Sequence, residues 1–218
     1  MTPRPARAVS ILGAVLAACA TTPRLPPEGS APPALGPDSF LVAFQTTRGR
    51  FVVMAHRDWA PLGSDRFYEL VRRRVYDDIR AFRVVTNFVA QFGLTADSAV
   101  NRAWRAQGLD DEPVRQPNLR GRISFARGGP RTRSLQVFIN LGNNSPRLDT
   151  LMAGGVTGYP PIGEVVDGMN AVDHFNAQYG NAPSQRQDSI GAQGNAWLDR
   201  VFPDLDRIHT ARVIREWR

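Results

Sequence analysis

Short runs of β-branched and aromatic residues, separated by turns that contain glycine or proline, limit what this chain can fold into more than any other feature of its sequence. Branched and aromatic side chains favour extended backbone, whereas glycine and proline favour turns. The runs occur at residues 40–45, 51–55, 79–89, 122–126, 135–141, 162–166 and 208–217. This pattern predicts a mainly β protein, a barrel or a sandwich covered by a few helices.

The first two runs predict an antiparallel hairpin, because the sequence Thr-Thr-Arg-Gly-Arg between them offers Gly49 for a positive φ. Two helices are also predicted, one with Pro61 in its first turn and one over residues 168–179. Apolar residues recur in both at the spacing that buries one helical face: Phe67, Leu70 and Val71 in the first, and Met169, Val172 and Phe175 in the second.

The beginning of the chain has the features of an export signal. A short basic segment with Arg4 and Arg7 precedes an apolar stretch at residues 8–18, roughly half the ~20 residues of a membrane-spanning helix. The sequence Leu-Ala-Ala-Cys that ends it resembles the lipobox of bacterial lipoproteins, whose cysteine carries the lipid. Cys19 is the only cysteine in the chain, so we predict that it is lipidated. Ordinary signal cleavage after Ala20 is the alternative.

These features predict a lipoprotein signal peptide at residues 1–18, a tether at 19–38 and one folded domain at 39–218. The tether is rich in proline, which favours polyproline II, and could hold the domain ~50 Å from the lipid. Ala20 is not the aspartate that resembles an inner-membrane retention signal. We therefore expect a lipid-anchored monomer in the bacterial cell envelope, at the periplasmic face of the outer membrane.

The net charge of +7 comes entirely from arginine, because the 27 basic residues include no lysine. A strongly basic chain makes nucleic acid a candidate partner. An exported chain rarely meets nucleic acid, so no such partner is expected. The positive charge could instead favour anionic surfaces of the envelope.

The sequence contains no recognisable motif for a metal, a cofactor or a covalent nucleophile. His56, His174 and His209 are scattered, without neighbouring ligands in a metal-binding arrangement. There is no Gly-x-Ser-x-Gly elbow, no phosphate-binding glycine loop and no dinucleotide fingerprint. An enzyme with this sequence would therefore act without a metal, a cofactor or a covalent intermediate.

An arginine stands in an otherwise apolar, strand-like run at residues 81–93, Ala-Phe-Arg-Val-Val-Thr-Asn-Phe-Val-Ala-Gln-Phe-Gly. This run resembles the segment F-H-R-V-x-x-x-F-x-x-Q-G-G of the cyclophilin family of peptidyl-prolyl isomerases. Residues 121–139 are similar to that family's G-x-L-S-M-A-N-x-G-P-N-T-N-G-S-Q-F-F-I without a gap. Residues 148–149 and 162–169 resemble L-D-G and F-G-x-V-x-x-G-M.

The matches follow the order of the family from about residue 39 to residue 179, with 208–217 as the usual last strand. The resemblance implies an eight-stranded antiparallel β-barrel capped by two helices, in agreement with the mainly β pattern. Residues 181–206 are an insertion in this scheme. Their apolar residues at helical spacing predict a C-terminal helical insertion that packs on the barrel as an extra cap.

The resemblance also implies a reaction on proline-containing polypeptides. Rotation about an X-Pro bond is slow because amide resonance gives a barrier of ~18–20 kcal/mol. At the twisted transition state the prolyl nitrogen gains a lone pair, which a guanidinium can bind and the planar ground state does not offer. By the resemblance Arg83 is this donor, and Gln91 orients it. The residues implied in substrate binding are Phe88, Val89, Ala126, Arg127, Gln136, Phe138, Leu148 and Tyr159.

Several positions differ from the family pattern. Phe82 stands in place of the histidine before the arginine, Phe92 in place of the first glycine of Q-G-G, and Arg127 in place of an asparagine. Crowding of the backbone after the glutamine is therefore expected. Tyr159 stands nearest to the position of the usual pocket histidine. Arg147 occupies the place of a tryptophan that aids cyclosporin binding, so we expect weak cyclosporin affinity by calorimetry.

Three functions are compatible with these residues. The first is an isomerase that assists the folding of exported proteins. The second is a binding module or chaperone that holds proline-containing segments without useful turnover, because crowded neighbours have displaced Arg83. The third is a structural envelope protein in which the barrel is only a scaffold. Loss of turnover without loss of peptide affinity in Arg83→Ala would distinguish the first from the second.

Overall fold

The computed structural model describes residues 24–26 and 35–218. The predicted signal peptide, Cys19 and most of the predicted tether lie outside the described residues. The strands are β1 Ser39–Thr46, β2 Gly49–His56, β3 Ile79–Arg80, β4 Arg83–Val85, β5 Val89–Phe92, β6 Arg122–Phe125, β7 Val137–Asn140, β8 Met152–Ala153, β9 Val156–Thr157, β10 Pro161–Asp167 and β11 Arg207–Trp217. The helices are α1 Pro61–Arg72, α2 Ser98–Arg105, α3 Ser145–Leu148, α4 Met169–Asp173 and α5 Gln187–Val201, with a 3-10 helix, Pro183–Arg186, before α5.

Nine of these strands form one antiparallel sheet in the order β3-β11-β1-β2-β10-β6-β7-β5-β4, and β8 and β9 form a separate hairpin. The sheet curls into a half-barrel. Its two edge strands, β3 and β4, are consecutive in the chain and are separated only by Ala81 and Phe82. The predicted mainly β fold with few helices is confirmed, although the sheet has nine strands rather than the expected eight.

The difference in strand number arises in residues 79–89, which the sequence pattern treats as one run. In the structure β3 pairs with β11, whereas β4 pairs with β5, so the chain changes partners between them. A tight turn then separates β4 from β5, and Asn87 in that turn has a φ of 60°. Asparagine tolerates this left-handed conformation. The hydropathy pattern does not reveal the turn, because apolar residues lie on both sides of it.

The predicted first hairpin and first helix are both present. β1 pairs with β2 along its whole length, and Gly49 at the turn has a φ of 110°. Helix α1 begins at Pro61, and the amides of Leu62 and Gly63 donate to the two carboxylate oxygens of Glu112 at 2.7 and 3.0 Å. These bonds satisfy two N–H groups that have no partner inside the helix.

Aromatic side chains fill much of the interior of the half-barrel. The rings of Phe44 and Phe51 stack with centroids 4.6 Å apart, and Phe92 meets Phe44 edge-on at 5.8 Å. Tyr76 packs in the same cluster, where its hydroxyl donates to the carbonyl of Leu135 at 3.1 Å. Burial raises the pKa of this hydroxyl well above its ordinary value. The hydrogen bond offsets the cost of burying a polar group in an apolar core.

The second predicted helix is shorter than expected. Helix α4 ends at Asp173, well before the predicted end at residue 179, although Phe175 is buried in the core as the pattern requires. Beyond α4, the amide of Asn176 donates to the carboxylate of Asp206 at 2.6 Å instead of to a carbonyl one turn earlier. This bond to a distant segment replaces the helical hydrogen bonding and explains the early end.

The C-terminal helical insertion, residues 181–206, packs against the half-barrel. Its apolar residues join two residues of the sheet side in a cluster apart from the main core: Phe82, Leu94, Ile190, Leu198 and Leu205. The buried Arg80 donates through Nε and Nη2 to the two carboxylate oxygens of Asp199 on α5, each at 2.8 Å. The insertion is thus fixed to β3 and to the residue that precedes β4.

Helix α2 is absent from the sequence-based prediction. Asp97 caps it, since its Oδ1 accepts hydrogen bonds from the amides of Ala99 and Val100 at 2.7 and 3.3 Å. Its last turn carries Trp104, which is fully buried. The helix has only eight residues and buries Val100, Asn101 and Trp104, so its buried face is too short to stand out in the sequence.

A short piece of chain before β1, residues 24–26, contacts the folded domain, and we call it the docked segment. The guanidinium of Arg24 donates to the carbonyls of Val75 and Asp77 at 3.3 and 2.7 Å. The carbonyl of Arg24 accepts a hydrogen bond from Nε1 of Trp104 at 2.8 Å. Among the described residues, no helix is both long enough and apolar enough to cross a membrane.

Candidate active site

A cavity of about 530 Å³ opens beside strands β4, β5 and β7, apart from the main core. The structure brings together all ten residues that the sequence predicts for catalysis and substrate binding. They line this cavity: Arg83, Phe88, Val89, Gln91, Ala126, Arg127, Gln136, Phe138, Leu148 and Tyr159. The predicted lipidation residue, Cys19, lies outside the described residues.

Strand alternation explains why these side chains meet. Val89 and Gln91 are two residues apart on β5 and line the cavity, whereas Phe92 points to the core. Gln91 lies opposite Arg83 on one side and opposite Phe138 on the other. Backbone pairing of β4, β5 and β7 therefore fixes the arginine, the glutamine and the phenylalanine next to one another.

The apolar part of the cavity is a small cluster that is separate from the core. It consists of Phe88, Val89, Ala126, Phe138, Leu148 and Tyr159. The rings of Phe138 and Tyr159 meet edge to face, with centroids 5.7 Å apart and planes at 73°. Such a cluster can enclose a small apolar ring and remove its surface from water.

A chain of side-chain hydrogen bonds forms the polar part of the cavity. Nη1 of Arg83 donates to Oε1 of Gln91 at 3.1 Å, and Nε2 of Gln91 donates to Oε1 of Gln136 at 2.9 Å. Nε2 of Gln136 in turn donates to Oε1 of Gln187 at 3.0 Å. Nε of Arg83 also donates to Oδ1 of Asn181 at 2.7 Å. We call Arg83, Gln91, Gln136 and Gln187 the polar chain.

Arg83 is a half-buried cation that forms no ion pair within the part of the chain that the structure describes. Burial lowers the pKa of its guanidinium, Tyr159 opposes this shift, and Arg147 adds to it. Its guanidinium lies 5.4 Å from the ring centroid of Phe88. Both hydrogen-bond acceptors are neutral amides, and a guanidinium has five N–H donors. The site therefore presents an uncompensated positive donor beside an apolar pocket.

Arg127 lines the cavity, but its guanidinium is engaged by the loop at residues 151–158. It donates at 2.8 to 3.4 Å to four backbone carbonyls, those of Leu151, Ala153, Val156 and Gly158. It also lies 4.8 Å from the ring centroid of Tyr159. Arg127 thus fixes the loop that leads to Tyr159, and its contact with a substrate stays a prediction.

Two departures from the family pattern lie away from the cavity. Phe82 packs in the cluster of the insertion, and Phe92 packs in the main core. Strand alternation turns the side chain of Phe92 into the core, and the expected crowding of the backbone after Gln91 stays a prediction. Arg147 does line the cavity, and its guanidinium lies 5.3 Å from the ring centroid of Phe88.

Several residues of the cavity were not among those predicted: Arg105, Gly128, Thr132, Ser134, Arg147, Leu151, Ser184 and Gln187. Ser134 lies in a bend before β7, where strand alternation gives no signal. Ser184 and Gln187 belong to the insertion, which the family resemblance does not cover, so no sequence signal pointed to them. Among the described residues, no three His, Cys, Asp or Glu side chains are grouped to hold a metal ion.

The fold is that of the cyclophilin class. A solved structure of a cyclophilin type peptidyl-prolyl cis-trans isomerase from Cryptosporidium parvum is similar with a TM-score of 0.59 at 17% identity, over 82% of this chain and 99% of that one. A structure of that isomerase in the presence of the dipeptide Ala-Pro is similar with a TM-score of 0.54 at 17% identity, over 81% and 99%. At this identity the likeness establishes the fold alone.

The family model described as cyclophilin type peptidyl-prolyl cis-trans isomerase matches residues 41–193, and the chain therefore belongs to this family. Peptidyl-prolyl cis-trans isomerase B of Escherichia coli K12 is 28% identical over 153 residues, which are 68% of this chain and 91% of that protein. Peptidyl-prolyl cis-trans isomerase-like 1 of Rhizopus delemar is 33% identical over 134 residues, 60% and 76% of the two chains.

Proposed function

We propose that this protein catalyses the cis-trans isomerisation of X-Pro bonds in polypeptides. Membership in the cyclophilin-type isomerase family supports this activity. The observation that carries the proposal is the position of Arg83, a guanidinium that has no ion-pair partner among the described residues and that Gln91 holds beside the apolar part of the cavity. Phe138 and Tyr159 offer an apolar site for the proline ring, within the same cavity as the donor.

The reaction breaks no bond. The site therefore has to lower the barrier to rotation about the X-Pro bond. The barrier of ~18–20 kcal/mol comes from amide resonance, which is lost when the X-Pro bond is twisted. The prolyl nitrogen then carries a lone pair. A donor from Arg83 that binds this lone pair stabilises the twisted state but not the planar one, and such differential binding lowers the barrier.

The size of the effect follows from one charge-assisted hydrogen bond. Such a bond contributes about 1.5–3 kcal/mol, which corresponds to an acceleration of roughly ten- to a hundredfold when it exists only at the transition state. Gln91 and Asn181 hold the guanidinium in place, so little reorganisation is needed at the moment of rotation. Removal of the apolar surface from water adds further affinity for the proline ring.

The experiment is NMR exchange spectroscopy on a short Ala-Pro peptide with the full chain and with Arg83→Ala. We expect the native protein to accelerate exchange and the variant to lose most of this acceleration while it still binds the peptide. Arg102→Ala serves as a matched control, because Arg102 is exposed on α2 and does not line the cavity. Equal acceleration by the native protein and Arg83→Ala would contradict the role of the arginine.

The same experiment tests the alternative, a module that holds proline-containing segments without turnover. That function predicts peptide binding by both proteins and acceleration by neither. The alternative arose from expected crowding near Gln91, whereas the side chain of Phe92 points into the core. A purely structural protein would bind no proline peptide, so unchanged chemical shifts at Phe88 and Phe138 would support that reading.

We further propose that the substrates are exported proteins and that a lipid on Cys19 anchors the domain at the periplasmic face of the outer membrane. The support is the sequence of residues 1–19, with its basic segment, short apolar stretch and Leu-Ala-Ala-Cys. Mass spectrometry of the mature N-terminus, after expression in a Gram-negative host, should find a lipid on Cys19. An unmodified N-terminus that begins beyond Cys19 would contradict the anchor, and Cys19→Ser provides the unlipidated control.

A further inference from the structure

The polar chain does not end within the half-barrel but on the helical insertion. Its last member, Gln187, is the first residue of α5 and accepts a hydrogen bond from Gln136 at 3.0 Å. Gln187 and Ser184 both line the cavity. A helix that packs on the outside of the sheet therefore contributes directly to the site.

The direction of every hydrogen bond in the polar chain is determined from the arginine end. A guanidinium only donates, so Gln91 must turn its Oε1 toward Arg83 and its Nε2 toward Gln136. Gln136 must then turn Oε1 toward Gln91 and Nε2 outward. The outward amide needs an acceptor, and Oε1 of Gln187 provides it. Without that acceptor, Nε2 of Gln136 has no hydrogen-bond partner in the polar chain. The orientation of the Gln136 amide is then less strongly fixed.

The insertion is also held close to the arginine itself. Phe82, the residue before Arg83, packs against Ile190 and Leu198 of α5. Asp199 of α5 binds the guanidinium of Arg80 through both oxygens. The helix that carries Gln187 is thus attached to the same stretch of chain that carries Arg83, so that the two ends of the polar chain keep a fixed separation.

We propose that Gln187 is a positioning residue of this isomerase, which holds Arg83 in place through Gln136 and Gln91 by supplying the terminal acceptor. The inference rests on the proposed isomerase function and adds a requirement for a hydrogen-bond acceptor at residue 187. Activity should follow the hydrogen-bonding character of residue 187, because an acceptor is required there. Shape and charge at this position should matter less.

The test compares three variants of the full chain in the peptide exchange assay. Gln187→Glu keeps an acceptor and should retain most of the native acceleration. Gln187→Met has similar length but only a weak acceptor, and Gln187→Lys has donors alone. We expect both to lose roughly two- to tenfold of the rate at saturating peptide, the size of one neutral hydrogen bond, with peptide affinity unchanged.

Control variants separate the acceptor from the change in charge. Gln185→Glu and Gln185→Lys make the same charge changes at an exposed position in the preceding turn, and no change in rate is expected. A second readout is the NMR signal of the side-chain amide of Gln136. This signal should move in Gln187→Met and Gln187→Lys and stay close to its native position in Gln187→Glu.

The outcomes distinguish this inference from the function on which it rests. Native rates in all three Gln187 variants, with a slow Arg83→Ala, would overturn the positioning role and leave the isomerase function in place. Equal losses of rate in all three variants would also overturn it, because Gln187→Glu keeps an acceptor and should then keep most of the rate. No acceleration by the native protein would overturn the proposed function and this inference together.

Discussion

The apolar and polar sides of the cavity are held in place by different means. On the apolar side, Val89 and Phe138 sit on adjacent strands whose register is fixed by the backbone ladder. The polar side begins at Arg83 on the neighbouring strand β4 but ends on a separate helix at Gln187, and side-chain hydrogen bonds join the two. A backbone ladder keeps its geometry when one side chain changes, whereas a chain of side chains does not.

Because the two sides are held differently, we expect substitutions on the apolar side and on the polar side to change different measured quantities. Changes on the apolar side should mainly alter the free energy of unfolding and the affinity for peptide, because buried apolar surface contributes to both. Changes along the polar side should mainly alter the rate at saturating peptide, because the donor acts at the transition state. The following predictions test this separation.

The largest expected effect is that of Phe138→Ala. Phe138 is 5% exposed and packs on Tyr159, so its truncation should lower the free energy of unfolding by about 3 kcal/mol and weaken peptide binding. Urea denaturation and peptide titration measure the two quantities. Phe138→Leu should cost clearly less in both. If Phe138→Ala kept its peptide affinity but lowered the exchange rate at saturating peptide, the proposed difference between the two sides would be contradicted.

Arg127→Ala should have the next largest effect, since it removes four hydrogen bonds to the loop at residues 151–158. We expect a loss of about 2 kcal/mol in unfolding free energy, a typical value for bonds to a charged group with partial compensation by water. Hydrogen exchange of the loop amides should accelerate, and peptide affinity should fall through Tyr159. Arg127→Lys should restore little, because an ammonium lacks the planar fork. Unchanged exchange in the loop would contradict this role.

A smaller effect is expected for Asp199→Asn, which weakens the attachment of α5. The hydrogen bond from Arg80 lowers the pKa of Asp199, so its stabilisation is present above the unfolded pKa of about 3.9 and is lost as pH falls through the folded value. Asp199 is partly exposed, and with solvent screening we expect a loss on the order of 1 kcal/mol at neutral pH.

Unfolding curves of the native chain and Asp199→Asn between neutral and acid pH measure this difference, which should close as Asp199 becomes protonated. Asp188→Asn, at an exposed position on the same helix, is the control. A difference that persists unchanged in acid would show that the carboxylate charge is not its source. The exchange rate at saturating peptide should fall together with stability if α5 positions the polar chain.

The smallest expected effect is that of pH on the exchange rate. Burial lowers the pKa of Arg83, but an arginine keeps its proton at neutral pH. No histidine is among the residues that line the cavity. The acceleration should therefore stay constant between about pH 6 and pH 8, the range in which histidine titrates. A step in the NMR exchange rate within this range would contradict the assignment of the catalytic donor to Arg83, because an arginine does not titrate there.

Sequence patterns predicted the mainly β fold, the first hairpin and the first helix correctly. The family resemblance predicted the ten cavity residues together, and strand alternation in the structure explains why Val89 and Gln91 share one face. The run at residues 79–89 was read as one strand because a turn at Asn87 leaves no gap in hydropathy. Helix α4 was predicted too long because the amide of Asn176 donates to the carboxylate of Asp206, which is distant in sequence, and this bond ends the helix.

The contribution of the insertion to the site could not be predicted. Gln187 and Ser184 lie in a polar stretch, and hydropathy does not tell which side of such a stretch meets the sheet. Residues of α5 pack in one apolar cluster with Phe82, the residue before Arg83, and this packing brings the insertion to the cavity. The sequence shows that a phenylalanine precedes Arg83. Only the tertiary structure shows that the distant helix α5 packs against this phenylalanine.

The docked segment changes the distance at which a lipid-anchored domain would work. Arg24 is bound to the domain by three hydrogen bonds, so only residues 20–23 separate Cys19 from a fixed point on the protein surface. At about 3.1 Å per residue the anchor would lie within roughly 15 Å of that point, rather than ~50 Å away. In the anchored form proposed above, the domain would keep the surface that binds Arg24 toward the bilayer, and its access to substrates would depend on lateral diffusion in the membrane.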